Sequence, residues 1–217
     1  MRTSWWERFA TLCGALFVVF FVAGFALQGT GAPSADTPPA DVVASYSGSG
    51  MELEKELGAT FVGFGIFFLL IFLGRLHRSL RRAEEDRLFS SSALAGGIAM
   101  AVFLGASATF GTAVVSAEGF YGAFEVDANT VLAFSTLWYW LLGFALVGAA
   151  VLIGSASLVA WRTGLFPRWV AIGGFVVAAL GFFGETTAAF VVPFILLAAW
   201  LLVASVMLAR EPGNAPS

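Results

Sequence analysis

Arg75 to Arg87 reads RLHRSLRRAEEDR. Five arginines and the chain's single histidine, His77, stand here between two long apolar runs. A loop of this kind between two membrane spans belongs on the cytoplasmic side, because Lys and Arg in short loops are retained there. Placing it gives every other segment a side.

Working outward, a span of the hydrocarbon core takes about 20 predominantly apolar residues. Leu57–Gly74 precedes the basic stretch and Ser92–Ala117 follows it. Phe9–Gln28, a segment within Thr130–Trp161, Trp169–Gly184 and Thr187–Ala209 complete a set of six. The reading is therefore an all-α, polytopic bundle of six transmembrane helices with both termini cytoplasmic. It is a single membrane domain over residues 1–217, with an external loop at 29–56, the cytoplasmic basic loop at 75–91 and a second external loop at 118–129.

The charges sort accordingly. Arg2, Arg8, the five arginines of the basic loop, Arg162, Arg168 and Arg210 fall on one side, and Lys55 alone falls on the other. Nine of the fourteen acids lie on the side of Lys55, so that face sums to −8 and the arginine face to +5. A wrong number of spans would scramble this division. Composition agrees: 59% of residues are hydrophobic and 12% charged, where a soluble domain carries about 25% charge.

Composition also excludes chemistry. Cys13 is the only cysteine, which rules out an intramolecular disulfide and a thiolate cluster. One histidine cannot build a multi-histidine zinc or haem site. The sequence has no HExxH, no phosphate-binding glycine loop and no Gly-x-Ser-x-Gly elbow. No acid pair or histidine lies within a span, so general acid–base chemistry inside the bilayer lacks groups. Neither catalytic residues nor cofactor or metal ligands are expected, and no nucleic-acid partner.

In order along the chain, Trp5 and Trp6 are read as headgroup anchors of a retained first helix. Its apolar run exceeds that of a cleaved signal, and Pro33 follows the best small-residue site. Asp41 can cap a short surface turn bearing Val42, Val43 and Tyr46. Met51–Glu56 extends the second helix into water, with Glu52 and Lys55 as helical neighbours. In the basic loop, Arg75, Arg78, Arg81 and Arg82 are candidate contacts for lipid phosphates or for a specific anionic partner. Glu84 and Arg87 form a favourable i, i+3 pair, and Ser90–Ser92 offer N-cap oxygens to the third helix.

On the third helix Gly97, Ala101, Gly105, Thr109 and Ala113 recur every four residues. Such a seam lets a neighbouring helix come close, which in lipid is a main source of association. It serves either packing within the chain or a partner face. Phe120, Tyr121, Trp138, Tyr139 and Trp140 form an outer aromatic rim with Glu118, Glu125 and Asp127. The 32 uncharged residues from Thr130 to Trp161 exceed one span and have Gly143, Gly148 and Gly154 as break points. Gly164 is a C-cap, Pro167 opens the fifth helix, and Pro193 is a kink site in the sixth. Glu185 sits near the outer interface, either at the positive end of the sixth helix or as an ionisable site.

The stretches FLGRLHRSLRRAEEDR and SLVAWRTGLFPRWVAIGG, with the external PPADVVASYSGSG, resemble those of small six-helix integral membrane proteins of high-GC bacteria, similar to the DUF4386-type families. The resemblance implies a six-helix bundle in a bacterial cytoplasmic membrane and no catalytic residue. Three functional classes follow. The first is a non-enzymatic accessory or scaffold subunit, or a homo-oligomer, whose partners are membrane lipids and another membrane protein or itself. The second is a carrier or binder of a lipid or other hydrophobic small molecule. The third is an enzyme working at the outer interface through Glu185, Glu118, Glu125 or Asp127.

Overall fold

The computed structural model describes residues 5–29, 38, 41, 49–121, 127–184 and 191–210. Among these residues the regular elements are six α-helices: α1 Trp5–Gly29, α2 Ser49–Ala83, α3 Leu88–Tyr121, α4 Ala128–Thr163, α5 Arg168–Gly184 and α6 Val191–Arg210. Each packs on the next in sequence, and α6 closes back on α1, so the six form a ring. Five are long and apolar enough to cross a membrane; α5, at 17 residues, is shorter. The chain thus has the build of a membrane protein.

The helices alternate in direction. Glu7 at the start of α1 lies 4.0 Å from Arg78 near the end of α2. The guanidinium of Arg162, at the end of α4, sits 5.1 Å from the ring centre of Phe89 at the start of α3. A side chain on Gly14 of α1 would meet Ser205 of α6. These contacts define one end of the bundle. At the other, Phe25 stacks on Trp138 with centroids 6.0 Å apart and lies 6.0 Å from Phe194. The start of α1 and the end of α6 consequently share the end that carries the arginines.

The helices run past the expected span limits, because length here follows backbone hydrogen bonding and not hydropathy. α2 has 35 residues and α4 has 36, or about 52 and 54 Å, against a hydrocarbon core of about 30 Å. The loops shrink accordingly. Residues 49–56 are helical in α2, as expected for Met51–Glu56, the basic stretch 75–91 is helical but for residues 84–87, and α3 and α4 enter the 118–129 segment from both ends. α4 is unbroken through Gly143, Gly148 and Gly154. Pro193 is the third described residue of α6, and the turn before it, where a kink would show, lies outside the described residues. Of the proposed surface turn at Asp41, the structure describes the Asp41 N–H donating to Pro38 O at 3.0 Å, and the remainder lies outside the described residues.

The interior is filled by Phe17, Phe21, Leu69, Phe72, Met100, Leu104, Leu146, Leu152 and Ile153, all buried. Two glycine pairs set the closest helix approaches. A Cβ on Gly96 would lie 2.8 Å from Gly148 O, and one on Gly148 2.9 Å from Gly96 O, fixing α3 on α4. Gly24 and Gly58 do the same for α1 and α2, at 2.7 and 2.9 Å. Backbone against backbone cannot yield, so these positions require the missing side chain.

Candidate functional site: the arginine end and the outward face of α2

The turn joining α2 to α3 spans Glu84–Arg87. Glu84 does not pair with Arg87. Its carboxylate accepts from the N–H of Phe89 at 2.9 Å and of Ser90 at 2.7 Å. The free amides at a helix start are strong donors aimed at an anion, so they outcompete an exposed arginine. Glu84 therefore takes the capping role expected of the serines. Ser91 and Ser92 instead donate back to Arg87 O and Leu88 O, at 2.8 and 3.0 Å. Arg87 holds φ 59°, the left-handed turn that allows this reversal. His77 lies 3.0 Å from Ser90 O through Nδ1; a carbonyl only accepts, so Nδ1 carries the proton.

Burial raises the Glu84 pKa, but the Phe89 and Ser90 N–H groups, the Ser90 hydroxyl and the charge of Arg162 together outweigh it. The net effect holds the carboxyl below its ordinary value. At the opposite end Asp127 caps α4. Its carboxyl is lowered by the Thr130 hydroxyl and N–H and by the Asn129 N–H, against a small opposing effect of burial. The turn between α4 and α5 closes as the sequence suggests. Gly164 takes φ 73° and its N–H donates to Ala160 O at 2.9 Å, while Pro167 O accepts from Val170 N–H at 2.9 Å.

The four arginines singled out in the sequence differ. Arg75 is half-buried and donates through Nη1 to Ser79 Oγ at 2.8 Å. Arg78 is exposed and near Glu7, and Arg81 and Arg82 are exposed. Arg8, Arg87, Arg162, Arg168 and Arg210 are exposed at the same end. The structure thus gathers the arginines of five helix ends and a turn around one rim.

The seam residues of α3 divide as well. A Cβ on Gly97 would meet Leu73 at 2.5 Å, Ala101 is buried, and one on Gly105 would be 3.4 Å from Ile66; Leu73 and Ile66 belong to α2. Thr109 is exposed, its hydroxyl donating to Gly105 O at 3.0 Å, and Ala113 is half-buried. The tighter α3 contact is one residue away, at Gly96, on α4. Sequence spacing misses it because the next four-residue steps after Gly96 on α3 are Met100 and Leu104, which break a small-residue seam.

Lys55 was read as lying in water, and it does not. It is 1% exposed, three residues before Gly58 on the face of α2 that meets α1. Gln28 reaches across the same junction, its Nε2 donating to Ala108 O of α3 at 3.3 Å. Ser116 of α3 donates to Glu56 at 3.4 Å. These groups tie the ends of α1, α2 and α3 together by hydrogen bonds. Glu185, Glu118 and Glu125 lie outside the described residues or have side chains that do. Among the described residues no three His, Cys, Asp or Glu side chains gather where a metal would sit.

The outward face of α2 carries a concavity of about 460 Å³ lined by Thr60, Gly63, Phe64, Phe67 and Phe68. Phe20 of α1 packs on Phe61, Phe64 and Phe68 with centroids 5.5–5.8 Å apart and holds one wall in place. The concavity opens away from the bundle and is bounded by aromatic rings. Its chemistry is chiefly dispersion and shape, since four aromatic or bare positions line it and the Thr60 hydroxyl donates its proton to Glu56 O at 2.8 Å.

No family model, no curated protein and no solved structure matches the chain.

Proposed function

We propose that this protein is a non-enzymatic interaction subunit of a bacterial cytoplasmic membrane, an accessory or scaffold protein that assembles with other membrane proteins. The observation that supports this most is the concavity on α2. It lies on the outward surface of α2, among exposed side chains. A carrier of a lipid or other hydrophobic molecule works from an enclosed space, whereas the buried positions between the described helices hold phenylalanine, leucine and methionine side chains.

The arginine rim faces the cytoplasm in this reading, by the positive-inside rule, with both chain termini on that side. Arg87 and Arg168, and Arg81 and Arg82 where no partner covers them, then meet lipid phosphates at the inner surface, where each basic group contributes about 1 kcal/mol of attraction. The buried Gln28 and Lys55 and the half-buried Ser116 at the other end act as fasteners between helices and not as catalysts.

The experiment is extraction of the tagged full-length protein from its own membranes in a mild detergent, followed by native mass measurement. The expected result is an assembly heavier than one chain, with a second protein or a further copy in fixed ratio. A monomer carrying only lipid removes the reading.

A further inference from the structure

Two kinds of glycine stand out in the helices. Gly14, Gly24, Gly58, Gly96, Gly97, Gly111, Gly148 and Gly174 each have a neighbour that a side chain would strike at under 3.0 Å. Their identity is explained inside the bundle. Gly63 and Gly74 of α2, and Gly173 of α5, have nothing within 4 Å. A glycine in a helix interior costs about 1 kcal/mol relative to alanine, and facing open space it returns no packing for that.

Gly63 and Gly74 lie on one line of one helix, whereas Gly173 stands singly on α5. Eleven residues are three turns plus about 20°, a rise of about 16 Å. The same outward line holds Thr60, Phe64, Phe67 and Leu70, and beyond Gly74 it runs into Arg78, Arg81 and Arg82, all exposed. One face of α2 is thus a notch between phenylalanines, a second bare backbone patch, and a cationic end.

We propose that this face docks a transmembrane helix of a different protein, one that carries acidic residues just beyond its end on the arginine side. This rests on the interaction reading above and names the surface and the partner's chemistry. Length and rigidity select a helix. Thr60 to Arg78 is about 27 Å, nearly the full core of about 30 Å, whereas a lipid anchored at the arginines covers one leaflet, about half of it. A fluid acyl chain packs against alanine as well as against glycine; a rigid helix gains from the absent Cβ because backbones then approach closely. Charge selects a different protein. A second copy lying parallel would bring its own Arg78, Arg81 and Arg82 against these, and like charges across an interface are repelled. Acidic residues on the partner complement them and compete with Glu7 for Arg78.

The test uses the full-length protein with a photo-crosslinking residue in place of Leu70, in its native membranes, and mass spectrometric identification of what it joins. In parallel, the protein in vesicles is titrated with a synthetic leucine-rich single-span peptide bearing a glutamate run beyond one end, and with its glutamine twin. The proposal expects a crosslinked protein whose span ends in acids on the arginine side, lost on Gly63→Leu. It expects the glutamate peptide to bind roughly tenfold more tightly than its twin, with the difference abolished by joint Arg78→Gln, Arg81→Gln and Arg82→Gln. Gly63→Leu points into open space and leaves the fold intact, which its thermal unfolding confirms. Crosslinks only to lipid or to a second copy, or equal binding of the two peptides, overturn it. If crosslinkers on the outward faces of α5 or α6 capture protein while Leu70 does not, this surface is wrong and the interaction reading stands. If none captures protein, both fall.

Discussion

Gly148 and Gly63 are the same residue type in helices of the same membrane protein, and their surroundings predict opposite responses. A methyl group on Gly148 would lie 2.6 Å from the backbone nitrogen of Met100, which cannot move without shifting α3. Gly148→Ala is expected to lower stability by about 1–3 kcal/mol, as overpacking does. Gly63→Ala meets nothing and is expected to be neutral or to stabilise the helix by up to about 1 kcal/mol. Unfolding of both variants in a denaturing-detergent titration reads the contrast; equal losses contradict it. Lys55 supplies a second residue-level check. It is the only lysine and is 1% exposed, so an amine-reactive reagent is expected to leave it unmodified until the protein is denatured. Rapid modification of the folded protein places it elsewhere. At Glu84 the prediction concerns pH. Its folded pKa is lowered, so its stabilising effect is present above the ordinary carboxylate range and is lost as pH falls through the folded value. Glu84→Gln is expected to flatten the acid side of the stability profile, measured as unfolding temperature against pH. An unchanged profile means that Glu84 does not hold the start of α3.

At the scale of the element, hydropathy located the helices and capping chemistry set their ends. Gly164 and Pro167 were legible because a left-handed glycine and a following proline punctuate a helix locally. The start of α3 was not, since three serines advertised a cap there and a glutamate upstream performs it. Sequence alone cannot rank two acceptors competing for the same amides. The inward turn of Lys55 was hidden for a different reason. Charge suggests water, but its place three residues before Gly58 commits it to the face against α1, and only knowing that Gly58 is a crossing point reveals this. The seam on α3 was legible as small residues, whereas its tightest contact, Gly96 on Gly148, depends on which helix is the neighbour. The α2 notch was invisible because an apolar run has no polar face to mark its outside. For α4, Asp127→Ala is expected to fray the first turn, seen as faster amide hydrogen exchange at Asn129 and Thr130. Unchanged exchange at those amides contradicts the cap.

At the scale of the whole molecule, the ring of six alternating helices brings every described arginine cluster to one end. The other end carries Glu54, Glu56 and Asp127 with Lys55 folded inward. That separation is a property of the chain and follows from the helices alone. Its direction across a membrane is the central claim, because the lipid contacts, the acidic partner helix and the position of both termini all depend on it. The measurement is site-directed labelling in intact cells with a membrane-impermeant maleimide, in a Cys13→Ala background. Single cysteines are placed by Arg87→Cys and Arg168→Cys at one end and by Glu54→Cys and Asp127→Cys at the other. The account predicts that Glu54→Cys and Asp127→Cys react in intact cells and that Arg87→Cys and Arg168→Cys react only after the membrane is permeabilised. Labelling of Arg87→Cys or Arg168→Cys in intact cells, or of one position from each end, contradicts it.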